Sequence, residues 1–311
     1  MRCMKKSVFV LVFLMALFAC STTKTTQPPT GEFRYGTEGL SMSFVANMPP
    51  ARVYDNSPFI VTLLVENKGT SPVSNAYSRF YLSGFDQNII SGISTQGTSV
   101  TGDVLRGRDQ YMPKGDVDTI TFTGQIPVLT IEKYQPVILA TACYAYSTVA
   151  NPAVCLDPNP YGATSVQKVC TPGAVSLGSE GAPVAVTSVN VEPSPGTTRF
   201  TINVQNVGGG DVFDPAVLSS CSPYGPGLAF NQIDIVHLYD VSVGGISIKN
   251  SCRPLDANGN IRLANGAGAV YCEVSGLKGQ NAYITPLSVE LSYGYRQGIS
   301  KSVEIRHVVT S

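Results

Sequence analysis

The chain is expected to be all-β, folded as two tandem antiparallel β-sandwiches behind an N-terminal signal helix and spacer. Three observations lead there. Apolar residues alternate with period two in several short runs. Gly, Pro and Asn clusters punctuate those runs. Three sequence blocks also recur in the same order in the two halves.

Residues 1–19 carry Arg2, Lys5 and Lys6, then an unbroken apolar run from Val8 to Ala19. A positive segment, a short apolar core and a small residue at its end form the layout of a secretory signal. The run is shorter than the roughly 20 residues a spanning helix needs. Leu17-Phe18-Ala19-Cys20 resembles a prokaryotic lipobox. That resemblance implies cleavage after residue 19, lipidation of Cys20 and an extracytoplasmic chain held at the cell membrane. Residues 20–37 open with Ser, Thr and Pro and read as a lipid-anchored flexible spacer.

The folded body is expected over 38–178 and 179–311. Phe59-Ile-Val-Thr-Leu-Leu-Val65, Asp118-Thr-Ile-Thr-Phe-Thr123 and Pro136 to Tyr146 read as strands. The clearest strand is Leu287 to Tyr295. There Leu287, Val289, Leu291, Tyr293 and Tyr295 share one side, with Ser288, Glu290, Ser292 and Gly294 on the other. Asn67-Lys-Gly69, Gly208-Gly-Gly210, Ala257-Asn-Gly-Asn260 and Asn265-Gly266 supply turns. After residue 20 no long window has helical apolar spacing.

The repeat is explicit. Val61, Leu63, Val65, Asn67 and Gly69 align with Phe200, Ile202, Val204, Asn206 and Gly208. Tyr144-Ala-Tyr146 aligns with Tyr293-Gly-Tyr295, and Val154-Cys-Leu156 with Val303-Glu-Ile305. Asp118-Thr-Ile-Thr-Phe sits opposite Val270-Tyr-Cys-Glu-Val. The seam falls between Cys170-Thr-Pro-Gly and Gly178-Ser-Glu-Gly-Ala-Pro183. About seven strands per half suit an immunoglobulin-like sandwich. The strand exit built on Leu63, Val65, Asn67, Gly69 and on Ile202, Val204, Asn206, Gly208 resembles the Ig-like CARDB repeats of bacterial and archaeal surface proteins. The resemblance implies a non-catalytic extracellular module of surface structure or adhesion. The chain has no Trp, so the Cys–Trp–Cys core of antibody domains does not carry over.

Charged residues make up 14% and the formal net charge is zero. With no basic block, nucleic acid is not an expected partner. The expected partners are the membrane, through the lipid, and other envelope or surface proteins or glycans. Six cysteines follow Cys20: Cys143, Cys155, Cys170, Cys221, Cys252 and Cys272. None has CxxC spacing, so a disulfide framework is expected rather than zinc. Cys252 and Cys272 would close a loop within the second half. Cys155 could pair with Cys143 or Cys170. Three cysteines per half is an odd number, so either Cys170 or Cys143 bridges to Cys221 and ties the halves together, or two thiols stay free; the bridge is the preferred expectation.

No catalytic residue, metal ligand or cofactor is expected. The two histidines, His237 and His307, stand apart from any nucleophile motif. Asp103, Asp109, Asp116 and Asp118 are interleaved with Arg106, Arg108 and Lys114, as in a solvated loop. Their alternative is the carboxylate pair of a secreted carbohydrate-active hydrolase. Asp256-Ala-Asn-Gly-Asn260 has calcium-loop residue types but lacks the downstream Glu, and reads as a tight turn. The tyrosine pairs belong to the core by alternation. A further alternative is a subunit of a surface filament or envelope layer, joined through sheet edges.

Overall fold

The computed structural model describes residues 33–162 and 168–308. The signal segment 1–19, Cys20 and the spacer up to residue 32 lie outside the described residues. The first half carries β1 (Leu40–Phe44), β2 (Arg52–Tyr54), β3 (Ser57–Asn67), β4 (Val73–Ser74), β5 (Ser78–Ser83), β6 (Val104–Leu105), β7 (Val117–Ile126), β8 (Lys133–Tyr134), β9 (Val137–Ala150), β10 (Ala153–Leu156) and β11 (Ala174–Ser176). The second carries β12 (Val184–Ser194), β13 (Thr197–Asn206), β14 (Asp211–Phe213), β15 (Ile235–Val243), β16 (Ile246–Ser247), β17 (Asn260–Arg262), β18 (Ala267–Ser275), β19 (Tyr283–Ser302) and β20 (Glu304–Arg306). The protein is all-β, and its sheets are antiparallel apart from the parallel pair β2–β20.

The period-two runs are strands. Leu287, Val289, Leu291, Tyr293 and Tyr295 are all buried in β19, while Ser288, Glu290 and Ser292 are half-exposed. Gly294 departs from the pattern. It is buried on the outer side because the Phe213 ring lies where its Cβ would be, 2.3 Å away.

One eight-stranded sheet has the main order β16-β15-β19-β9-β5, with β10 and β14 paired to β19 and β17 to β15, so strands of both halves belong to it. β9 and β19 pair along their length, from Val137↔Ser302 to Ala150↔Val289. The β1-β3-β7 sheet belongs to the first half, and β12, β13 and β18 form most of a second small sheet. Their apolar faces and the inner face of the shared sheet make one continuous core. The described residues therefore cluster as a single compact unit, with no break at 178/179. Pairing β9 with β19 removes two exposed strand edges at once, which favours a joined sheet over two separate sandwiches.

The small strands exchange between halves. β10 pairs with the start of β19. β20 pairs with β2 and β8 of the first half. A hairpin of β9 with β10, one option for Cys143 and Cys155, is thus not formed. The structure also moves one repeat block by two residues. Val61 and Leu63 face Phe122 and Ile120 across β3–β7, whereas Phe200 and Ile202 face Cys272 and Val270 across β13–β18. Val270 is the counterpart of Ile120, and Cys272 of Phe122.

Charged groups reinforce the β20 attachment beside its strand pairing and the burial of Ile305. The Glu304 carboxylate accepts from Arg306 Nε at 2.8 Å and Arg52 Nε at 2.7 Å, and lies 3.3 Å from Lys133 Nζ. Asp55 accepts from His307 Nδ1, from Leu129 N at 2.8 Å and from Val308 N at 3.0 Å. Hydrogen bonds, led by Arg306 for Glu304 and by His307 for Asp55, hold both carboxyls down at about 2. A depressed folded-state pKa stabilises above the unfolded value, about 4 for such groups. That stabilisation is lost as pH falls from about 4 through about 2. Amide exchange should therefore show Glu304 and His307 losing protection in this window while β19 keeps its own. In Glu304→Gln the loss should already be present at pH 7. Uniform protection across β19 and β20 at pH 3 would contradict this.

Candidate functional site

The repeated tyrosines meet on a local two-fold. Across β9–β19, Tyr144 opposes Tyr295 and Tyr146 opposes Tyr293, with Ala145 and Gly294 at the centre. Ring centroids lie 5.8 to 6.4 Å apart in tilted or edge-on pairs, the geometry aromatic quadrupoles favour. All four rings are buried, and burial raises all four phenol pKa values.

Each hydroxyl has a partner, and the two halves match except that Tyr293 also shares a hydrogen bond with Thr148 Oγ1 at 2.9 Å. Leu40 N donates to Tyr144 at 3.2 Å, and Val184 N donates to Tyr293 at 3.3 Å. Ser71 N donates to Tyr146 at 3.2 Å, and Gly210 N donates to Tyr295 at 2.8 Å. Tyr146 donates to Asn67 Oδ1 at 3.1 Å, and Tyr295 donates to Asn206 Oδ1 at 3.3 Å. Asn67 Nδ2 closes its turn on Ser71 O at 2.8 Å, and Asn206 Nδ2 closes its own on Gly210 O at 2.9 Å. The Asn-x-Gly exit thus has a physical account. The asparagine braces the turn and accepts the phenol hydrogen bond. The glycine leaves room for the phenol: a Cβ on Gly69 would stand 1.9 Å from the Tyr146 hydroxyl, and one on Gly208 2.3 Å from that of Tyr295.

Three disulfides cross-link the described residues. Cys143 pairs with Cys221, Cys155 with Cys170, and Cys252 with Cys272, at sequence separations of 78, 15 and 20. The first joins the two halves. It lies on the outer face of the shared sheet with Tyr81 and Phe213, in a small apolar cluster of its own that Val217 and Leu218 flank. Three disulfides belong to an oxidising, extracytoplasmic setting. Among the described residues, no helix is long and apolar enough to cross a membrane.

Beside that bridge lies a cleft of about 650 Å³ between the halves. One wall is the turn Asn75–Tyr77, capped where Ala76 N donates to Ser74 Oγ at 3.2 Å. The other is the 3-10 segment Pro215–Cys221 and the chain after it, started by Ala216 N donating to Asp214 Oδ1 at 2.9 Å. Tyr77, Tyr81 and Tyr224 line the cleft with Gln96, Ser222 and Arg79. Arg79 Nη1 already donates to Asn75 O and Ser78 O, at 3.0 and 2.6 Å. The sequence reading missed this site. Its one signal was Tyr224, three residues past a cysteine whose partner lies in the other half.

Three of the acids of 103–118 are engaged in local hydrogen bonds. Asp116 accepts from Arg106 N, Nε and Nη2 at 2.9, 2.9 and 3.3 Å. Asp118 accepts from Thr101 N and Oγ1, both at 2.7 Å. Asp109 accepts from Tyr111 N and Met112 N, both at 2.7 Å. Asp103 is exposed, and Arg108 lies over the Tyr35 ring. Asp256 closes its turn on Asn258 N and Asn260 N, both at 2.8 Å. His237 Nδ1 lies 3.0 Å from Asn260 Oδ1. Among the described residues, no group of three or more His, Cys, Asp and Glu is placed to hold a metal ion.

No family model matches the chain, and no curated protein matches it. Among solved structures, the secreted serine protease VesC from Vibrio cholerae is similar at 11% identity and a TM-score of 0.19. The match covers 82% of this chain and 50% of that one. At that score the likeness carries no argument about fold or activity.

Proposed function

We propose that the chain is a membrane-tethered extracytoplasmic lipoprotein whose body is a structural or adhesive binding module. Each half is read as an Ig-like sandwich, over 38–178 and 179–311, with the two fused through the shared sheet. Cys20 carries the lipid, residues 20–37 space the body from the membrane, and other envelope or surface proteins or glycans are its partners. The observation that carries this reading is the Cys143–Cys221 bridge between the halves. Cross-linking two repeats on the face that also holds a cleft makes a stiff platform, and disulfides serve that purpose outside the cytoplasm. The commitment of Asp109, Asp116 and Asp118 to loop hydrogen bonds favours binding over hydrolysis at that stretch.

The tether is tested by Cys20→Ser. The native chain should take up labelled fatty acid and pellet with membranes. The variant should do neither, yet keep the same melting temperature once purified. A variant that still pellets with membranes would sink the lipid-anchor part of the reading.

A further inference from the structure

We propose that the cleft beside the Cys143–Cys221 bridge binds a neutral glycan chain, with Tyr77 and Tyr224 as stacking platforms. The inference rests on the binding-module reading and gives it a ligand class. A sugar ring offers a C–H face to an aromatic ring and hydroxyls at its rim. Its recognition therefore needs flat aromatic faces, amide and hydroxyl partners, and little net charge. The cleft has that composition. Tyr77 is 61% exposed and Tyr224 37%, while Tyr81, also in the lining, is buried. Gln96 and Ser222 supply amide and hydroxyl groups, and Arg79 is the one charged side chain in the lining.

The walls are already held in place. Tyr224 reaches across the seam and donates its hydroxyl to Leu82 O. The bridge holds Cys221, three residues before it, against β9. A preformed cleft loses little freedom on binding, which matters for ligands that gain little per ring.

The same contacts disfavour an extended peptide. Strand addition would use the free side of β5, the outermost strand of the shared sheet at this end. Phe80 N and Phe80 O are already taken by Thr98, at 2.6 and 2.9 Å. Leu82 O is taken by Tyr224. What remains open to a ligand is side-chain surface: rings, hydroxyls and amides.

The test uses the full chain carrying Cys20→Ser, with its disulfides intact, on a printed array of neutral and acidic glycans and on a peptide array. Membrane retention reads the tether separately, so failure of one does not mimic failure of the other. Binding to one or more neutral glycans is expected. Tyr77→Ala should weaken it roughly tenfold or more, as loss of a central aromatic anchor does, and Tyr77→Phe should stay within about twofold because the stacking face is kept. Tyr77 is exposed, so its variants should melt like the parent. Tyr224→Ala should also weaken binding, and its melting curve separates a lost platform from a lost fold. The proposal is overturned if no neutral glycan is retained, if only acidic glycans or only peptides are retained, or if Tyr77→Ala binds as the parent does.

Discussion

Gly208→Ala is expected to destabilise the fold by about 3 kcal/mol, the upper range for forcing a methyl into a packed site. The new Cβ would stand 2.3 Å from the Tyr295 hydroxyl and 2.8 Å from the Pro183 Cβ. Pro183 cannot retreat cheaply, because its carbonyl accepts from Val207 N at 2.8 Å and from Gly208 N at 3.0 Å. Tyr295 cannot retreat without releasing Asn206 Oδ1 and Gly210 N. Tyr295→Phe alone should cost about 1–3 kcal/mol, because it leaves Asn206 Oδ1 and Gly210 N without their partner. The double variant should be less destabilised than the sum of the two, since removing the hydroxyl also removes the closest clash. Denaturant titration of the four proteins measures that coupling. Additive losses would mean that the phenol and the glycine do not constrain each other. Gly69→Ala should behave alike with a smaller rescue from Tyr146→Phe, because Gly181 O also lies 2.5 Å from the new Cβ.

The second large effect concerns the bridge between halves. Replacing both Cys143 and Cys221 by alanine should cost about 4.5 kcal/mol in the chain-entropy account of a loop of this length. The Cys155–Cys170 and Cys252–Cys272 closures, at separations of 15 and 20, are shorter. Removing either pair should cost about 3 kcal/mol. The ranking can be checked by thermal melting of the three double-alanine variants. The bridge variant should also lose amide protection first at Pro215–Cys221, since that segment is seated by the disulfide. If its loss did not exceed that of the two shorter loops, the bridge would add nothing beyond the shared sheet, the exchanged strands and the common core.

Local information was enough for the strands. Alternation marked β3, β7, β9 and β19, because side chains on a strand point to opposite faces in strict succession and only one face meets the core. The same rule placed the four tyrosines inward, and the paired Asn-x-Gly exits were visible as a repeat. The role of those exits was not visible, since the phenol that needs each glycine lies 77 residues along for Gly69 and 87 for Gly208.

The two-residue displacement of the β7 and β18 blocks shows a further limit. A one-residue slip exchanges the faces of a strand, whereas a two-residue slip preserves them. Hydrophobic pattern is blind to the second kind, and only the β3–β7 and β13–β18 hydrogen bonds set it.

The cysteines mark the same division. Their odd number in each half required either a bridge between halves or free thiols. Which residue makes the bridge depends on Cys143 facing outward from the shared sheet, beside Phe213 and the segment ending at Cys221. The sequence by itself determined the strand class and the inward faces, both properties of neighbours along the chain. The tertiary structure alone decided that the two copies share a sheet, exchange their small strands and enclose a tyrosine-lined cleft. Those outcomes rest on which strand edges meet, and an edge carries no mark of its partner in the order of its own side chains.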